Sequence, residues 1–371
     1  MNRIYISGIG TYTSAGYGFS DTCDNIRQGK STIPLKKDWS LPEIGEQYFG
    51  EPPAVDLKEE LAINEVMPPM KYSSYGMLAC KLALKDAGLE GFEERESIGM
   101  VIDTSSGTSV AVEDYLTRLY KFGLHKASPI LFTRTVANSA LGDISRLFTL
   151  RGPSSLLFNE SSLCYGLDLL KKGVCKMVIC GSVESYNDYY VLSEKETGGL
   201  LDADKPLEDS LKNTPDIRRK VLGEGAAFVV LETEESLRQR GRTPYASLVD
   251  YASSFDVLHV DDTAVRSEDV LQRNLRTLKE EIRPSDTILW ASAYLSDIQM
   301  DRNETGTIKS MFPKNDVRVF RHKQYTGDMK SASNTFGVAL LAKALQDGKA
   351  DMGIANTNQD GGASTLFLLT K

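Results

Sequence analysis

The chain has 371 residues, of which 41% are hydrophobic and 25% charged, with a formal net charge of −8 and a pI near 5.2. That length exceeds one ordinary domain, and the balance is that of a globular protein with ample core material rather than of a disordered or fibrous chain. Without a basic cluster, an acidic chain carries no nucleic-acid footprint, although a local basic patch that docks an acidic carrier protein is compatible with the overall charge.

Strand signals begin at once. Residues 3–9 (RIYISGI) follow Met1 with no basic region, long apolar stretch and cleavage site before them, and no apolar run reaches membrane-spanning length, so cytoplasmic localisation is expected. Residues 33–70 hold six prolines and read as a surface excursion. An amphipathic helix, SSYGMLACKLALKDAG at 73–88, then stops at Gly88, the residue suited to a left-handed C-cap. Strands follow at SIGMVIDT and KMVICGS, before a charged, aperiodic excursion over about 185–222. AAFVVLE, YASLVDYA, TILWASA and VRVFRH are the next strands; a helix at 334–348 (NTFGVALLAKALQDG) stops at Gly348, and DMGIANT and STLFLLT end the chain. Strands alternating with helices of this length predict βαβ units, and their continuous apolar runs predict burial on both faces.

The chain also echoes itself. LLKKGVCKMVICGS at 169–182 resembles AKALQDGKADMGIANT at 342–357, with Gly173/Gly348, Met177/Met352 and Gly152/Gly327 all 175 residues apart. One long repeat points to two duplicated halves rather than a solenoid, here residues 1–243 and 244–371.

Taken in order, these pieces resemble the β-ketoacyl-acyl carrier protein synthase (ketosynthase) family of the elongating and chain-length-factor type, over nearly the whole chain. The segments that carry the resemblance are IYISGIGTYTSAGYG, SPILFTRTVANSALGDISRLFTLRGPS at 128–154, GEGAAFVVLE, KQYTGDMKSASNTFGVALLAKAL at 323–345 and NTNQDGGASTLFLL. The resemblance implies an α/β thiolase-like fold, with two duplicated βαβαβ-type halves in a layered α-β-α-β-α sandwich, and dimers.

It also implies where the chemistry should lie. Decarboxylative condensation needs a cysteine at a strand-to-helix turn to hold the acyl chain, and donors that stabilise the enolate. The family's cysteine lies eight residues beyond a Gly-Pro dipeptide; here the count from Gly152-Pro153 falls on Ser161, a poor nucleophile without a neighbouring base. Cys164, three residues on, is the alternative nucleophile, with a small apolar core residue as its plainer reading. The helix after the turn is expected to be shorter than the family's. Ser292 takes the place of the first histidine and Asp328 that of the second, while Lys323 matches the supporting lysine and is expected to form a salt link with Asp328. Where the family's gating loop has paired phenylalanines before two glycines, this chain has Asn358 and Asp360 before Gly361 and Gly362. None of the chain's three histidines (His125, His259, His322) is expected to substitute, and no metal site is expected from them or from the five scattered cysteines.

Such a set of departures implies a non-condensing subunit that pairs with an active ketosynthase homologue and shapes the acyl chamber in fatty acid, polyketide or aryl-polyene type biosynthesis. The acidic residue and Gly-Leu-Asp in NESSLCYGLD resemble the surroundings of the lost nucleophile in chain-length factors. An acyl carrier protein is the second expected partner, and no cofactor is expected beyond its phosphopantetheine arm, which carries the substrate. Two other readings stay open: a divergent acyltransferase using Cys164, and a homodimeric acyl-binding scaffold.

Overall fold

The computed structural model describes residues 3–29, 32–63, 69–212, 219–255, 268–278, 281–295, 304–359 and 362–371. Ten strands dominate it: β1 (Ile4–Thr13), β2 (Ile98–Thr104), β3 (Ser154–Phe158), β4 (Met177–Glu184), β5 (Gly225–Thr233), β6 (Ala246–Phe255), β7 (Thr287–Ala291), β8 (Asp316–Phe320), β9 (Met352–Asn358) and β10 (Ala363–Thr370). They run β3-β2-β4-β5-β1-β6-β10-β9-β7-β8, with Gly16–Tyr17 paired to β1 off this path.

The duplication is visible in this order. Each half places its third strand at the outer edge, then its second, fourth, fifth and first. Pairing repeats as well. β2 is parallel to β3 and β4, and β7 to β8 and β9, whereas β5 and β10 run antiparallel to both of their neighbours. The halves join through a short antiparallel contact at Tyr5↔Ser247 and Ile6↔Ala246. Parallel pairing is thus confined to the three outer strands of each half, and the closing strands return antiparallel.

Six helices position the site: α1 (Lys71–Asp86), α2 (Ser109–Phe122), α3 (Ser162–Lys171), α4 (Asp188–Glu196), α5 (Glu304–Met311) and α6 (Ser331–Gln346). Leu163, Leu167 and Leu170 of α3 share one core with Val338, Leu341 and Leu345 of α6 and with inward residues of both halves, such as Val178 and Phe367. On the outer face of the first half, Leu78, Ala83 and Leu84 of α1 pack on Met100, Ile179 and Phe228. On that of the second, Leu271 and Leu275 pack with Ile308 of α5 over Trp290 and Ile354. The layers are therefore α-β-α-β-α, as the resemblance implied. Both predicted helix stops hold, since Gly88 and Gly348 adopt φ of 66° and 71°.

The two excursions turn out to be one feature. Phe49 and Gly50 pair in parallel with Leu222 and Gly223, and Ile44, Phe49, Tyr186, Val191 and Leu222 form a small core of their own. This cap sits against the Thr326–Asp328 loop so closely that a Cβ on Gly50 or Gly223 would lie 2.1 or 2.0 Å from the Thr326 carbonyl oxygen. β3 was not among the expected strands: its five residues, SSLLF, are only half-buried and too short to show a period. Among the described residues, no helix is long and apolar enough to cross a membrane.

Gly10 gives a direct test of the α1–β1 contact. A Cβ there would lie 2.1 Å from the Ala79 carbonyl oxygen and 2.3 Å from the Ala83 nitrogen, both backbone atoms of a buried helix. Gly10→Ala is expected to destabilise the protein by about 1–3 kcal/mol, the usual cost of overpacking, read as a lower denaturation midpoint in urea; an unchanged midpoint would contradict the packing.

Candidate functional site

The amino ends of α3 and α6 meet the carboxyl ends of the parallel strands, where open α/β sheets place their ligands. Ser161 is the N-cap of α3, in extended conformation and buried, and its hydroxyl makes no capping hydrogen bond. Instead, the Ser162 amide donates to Asp103 Oδ2 at 2.5 Å. Asp103 sits near the end of β2, fully buried. Burial raises its carboxyl to about 7, with the Ser182 hydroxyl and the Ser162 amide opposing the rise. Ser182 in turn shares a 2.6 Å hydrogen bond with Thr335 of α6, tying the two halves together. α3 has ten residues against sixteen in its counterpart α6.

Cys164 lies within the first turn of α3. Burial pushes its thiol far above the ordinary range; a hydrogen bond with Ser161 opposes this, while the charges of Asp103, Asp168 and Glu160 add to it. A reactive thiol needs electropositive surroundings, and these are the reverse.

Ser292 follows β7 and is fully buried. Its hydroxyl donates to Glu304 Oε2 at 2.5 Å and accepts from the Tyr294 amide at 3.0 Å. Glu304, the first residue of α5, also accepts from the Ala293 amide and the Asn356 side-chain amide. Burial raises this carboxyl. The Ser292 hydroxyl is therefore committed to an internal acid.

Asp328 is held on every side. Its amide donates to the Val221 carbonyl at 2.7 Å, the Gly223 amide donates to its carbonyl at 3.1 Å, and Lys323 Nζ lies 3.0 Å from its Oδ1, the expected salt link. Burial raises this carboxyl, but the charges of Lys323, Lys220 and Lys330 outweigh it and hold it at about 2, so Asp328 is an anion at any physiological pH. Nearby Lys330 has a left-handed φ of 45°, its ammonium 3.8 Å from Glu194 of α4 and 5.2 Å from the Tyr190 ring.

The remaining expected positions scatter. Asn358 ends β9, and its carbonyl accepts from the Asn334 side chain at 3.4 Å. Gly362 has a φ of 107° and donates to the Gln359 carbonyl, while Asp360 and Gly361 lie outside the described residues. His125 is exposed, and His259 is outside the described residues. His322 is buried between Phe320 and Phe336, where burial and then the Lys323 charge lower its imidazole to about 3, leaving it neutral. Among the described residues, no hydrogen bond joins Ser161, Ser292 and Asp328 to one another, and no group of His, Cys, Asp and Glu is placed to hold a metal ion.

Sequence reasoning missed the buried acids that now define the site: Asp103, Glu304, and Glu184 at the end of β4. Glu184 accepts from the Ser105 amide at 2.6 Å and the Ser106 amide at 3.1 Å, and burial raises it to about 7. The one available signal was an acid closing an apolar strand, as in IGMVIDT and MVICGSVE.

The family model described as "Beta-ketoacyl synthase, N-terminal domain" matches residues 1–236. A 3-oxoacyl-[acyl-carrier-protein] synthase 2 from Synechocystis is 23% identical over 374 residues, covering 96% of this chain and 89% of its own length. Among solved structures, the ishigamide ketosynthase/chain length factor superposes with a TM-score of 0.85 at 19% identity, covering 100% of this chain and 99% of its own. A type II polyketide synthase ketosynthase, solved with its acyl carrier protein and a bound hexaketide, does so with a TM-score of 0.83 at 17% identity, with the same coverage.

Asp103 gives the site a pH signature. Its folded carboxyl, at about 7, stands above the ordinary 3.8, so the folded state binds more protons between these values and stability falls as pH rises through that window. Asp103→Asn removes this loss. The variant should melt higher than the unsubstituted protein at pH 8, by roughly 2–4 °C per kcal/mol recovered, with the gain vanishing near pH 4; a difference independent of pH in calorimetry would contradict the assignment.

Proposed function

The chain belongs to the β-ketoacyl synthase family, and we propose that within it this protein is a non-condensing subunit that pairs with an active ketosynthase homologue and shapes the chamber in which the partner extends an acyl or polyene chain. The observation that carries this reading is electrostatic. Where condensation needs a thiolate at a positive helix end and two neutral donors facing an enolate, this chain has a buried carboxyl on the Ser162 amide, a serine committed to Glu304 and a permanent anion at Asp328. Asp328 would repel the carboxylate of a malonyl unit or the charge developing on it, and the Ser162 amide and the Ser292 hydroxyl are already committed to acids.

Pairing is supported by an uncovered apolar face. Among the described residues β3 is an edge strand bonded only to β2, and Phe158 at its end is 53% exposed. Leu116 of α2, Leu124, Ile130 and Phe132, all in the connection from β2 to β3, are exposed as well, with Tyr115 and Phe132 packed 5.5 Å apart. A free strand edge and exposed large apolar side chains are features that folded proteins commonly cover. The likeness to a ketosynthase/chain length factor and to a ketosynthase solved with its acyl carrier protein supports an active ketosynthase on this face and carrier-borne intermediates, held on a phosphopantetheine arm, as the substrate. An aryl-polyene type product is part of the proposal.

The test is co-expression with active ketosynthase homologues. This chain and one of them should co-purify, and the pair should condense malonyl units. Replacing the partner's nucleophilic cysteine should abolish condensation, while Cys164→Ala in this chain should leave the rate within about twofold, the scale of a mutation that touches no transition-state interaction. Loss of condensation in Cys164→Ala would refute the reading. A stable homodimer that ignores every ketosynthase offered would favour a scaffold. Leu124→Glu with Phe132→Glu should weaken pairing at least about thirtyfold, as removing hot-spot contacts does, and leave the melting of the single chain unchanged.

A further inference from the structure

We propose that Asp103 is a specificity-determining residue that bars the α3 turn to an acyl thioester: its carboxyl occupies the Ser162 amide and places an acid where a nucleophile would need the positive end of the helix. The inference rests on the non-condensing reading and goes beyond it. Losing a cysteine removes one atom's chemistry, whereas Asp103 alters the field in which any nucleophile at this turn would act.

The geometry makes the bar a fixed one. Asp103 lies within the central strand β2, opposite Leu157 of β3 and Ser182 of β4 in two parallel ladders, so its backbone cannot withdraw without breaking both. Its side chain is 2% exposed, and Oδ2 is 2.5 Å from the Ser162 nitrogen. A helix amino end carries roughly half a positive charge, which lowers the pKa of a thiol placed there. A carboxylate at the same point cancels that help and repels both a thiolate and the oxyanion of a tetrahedral intermediate.

Burial disfavours the charged form of Asp103, and the Ser182 hydroxyl, the Ser162 amide and the Ser162 hydroxyl only partly offset that. An acid that burial destabilises, placed at the turn where the fold's chemistry would lie, fits a role in the site.

The experiment uses the full-length chain with Ser161→Cys alone and combined with Asp103→Asn, a replacement that keeps an acceptor for the Ser162 amide and removes the charge. Reaction at position 161 is followed by peptide mapping with iodoacetamide at pH 7.5, and by intact mass with octanoyl-pantetheine. With Asp103 present, the introduced thiol should react no faster than an ordinary protein thiol and take up no octanoyl group. With Asp103→Asn, alkylation should accelerate at least about tenfold, the effect of removing one nearby like charge, and an octanoyl adduct should appear at position 161. Ser161→Cys with Asp103→Ser repeats the test should the asparagine variant misfold, with circular dichroism as the control for folding. Equal rates with and without Asp103 in folded proteins would overturn the proposal, and so would octanoylation of Ser161→Cys alone. No partner chain enters this test, so its failure leaves the pairing result standing, and a failure of pairing leaves this result standing.

Discussion

Two helices from different halves of the chain share one buried slab, and this constraint governs everything else in the molecule. α3 and α6 contribute Leu163, Leu167, Leu170, Val338, Leu341 and Leu345 to a single core walled by strands on both sides. Helices enclosed in this way are largely apolar, and their unpaired amino-end amides find partners at the carboxyl ends of the strands. The Ser182–Thr335 hydrogen bond and the Ser105–Ser331 hydrogen bond at 2.7 Å are how the first half holds the amino end of α6. The same need for partners makes this the place where a catalytic family keeps its machinery, and where a change of a few side chains alters function without disturbing the slab.

Acids have taken over that place. Asp103, Glu184 and Glu304 are fully buried, and each is raised by burial while amides and hydroxyls hold it in position. Asp328 differs because Lys323, Lys220 and Lys330 keep it ionised. The loop that carries Asp328 is clasped by the cap built from both excursions, through the Val221 and Gly223 backbone. Charge and packing therefore act together: the anion cannot leave, and the cap fixes where it points. Buried acids cost stability, and the placing of Asp103, Glu184, Glu304 and Asp328 where the helix amino ends meet the strand ends is what a site requires.

Much of the fold was legible because its signals are local or repeated. The strand at Met177 and its counterpart at Met352 lie 175 residues apart, and they occupy the same fourth position in the two halves. Continuous runs such as MVICGSVE are buried at every residue, which is why they showed no alternation. β3 escaped because SSLLF is short and half-exposed at a sheet edge. The excursions at 33–70 and 185–222 read separately, since nothing in either sequence announces the Phe49↔Leu222 ladder. At the site, Ser161, Ser292, Lys323 and Asp328 could be singled out by position within a familiar order of motifs. Their partners could not, because an acid at a strand end looks the same whether it faces water or a helix amide 59 residues away, as Asp103 does.

The central claim is that this chain holds no covalent acyl intermediate. Intact-mass spectrometry of the unsubstituted protein after incubation with acyl and malonyl carrier-protein thioesters, followed by peptide mapping, tests it most directly. An unchanged mass, beside acylation of an active ketosynthase in the same tube, is the predicted result. A mass gain mapped to Ser161 or Cys164 would contradict it and make the chain a divergent acyltransferase.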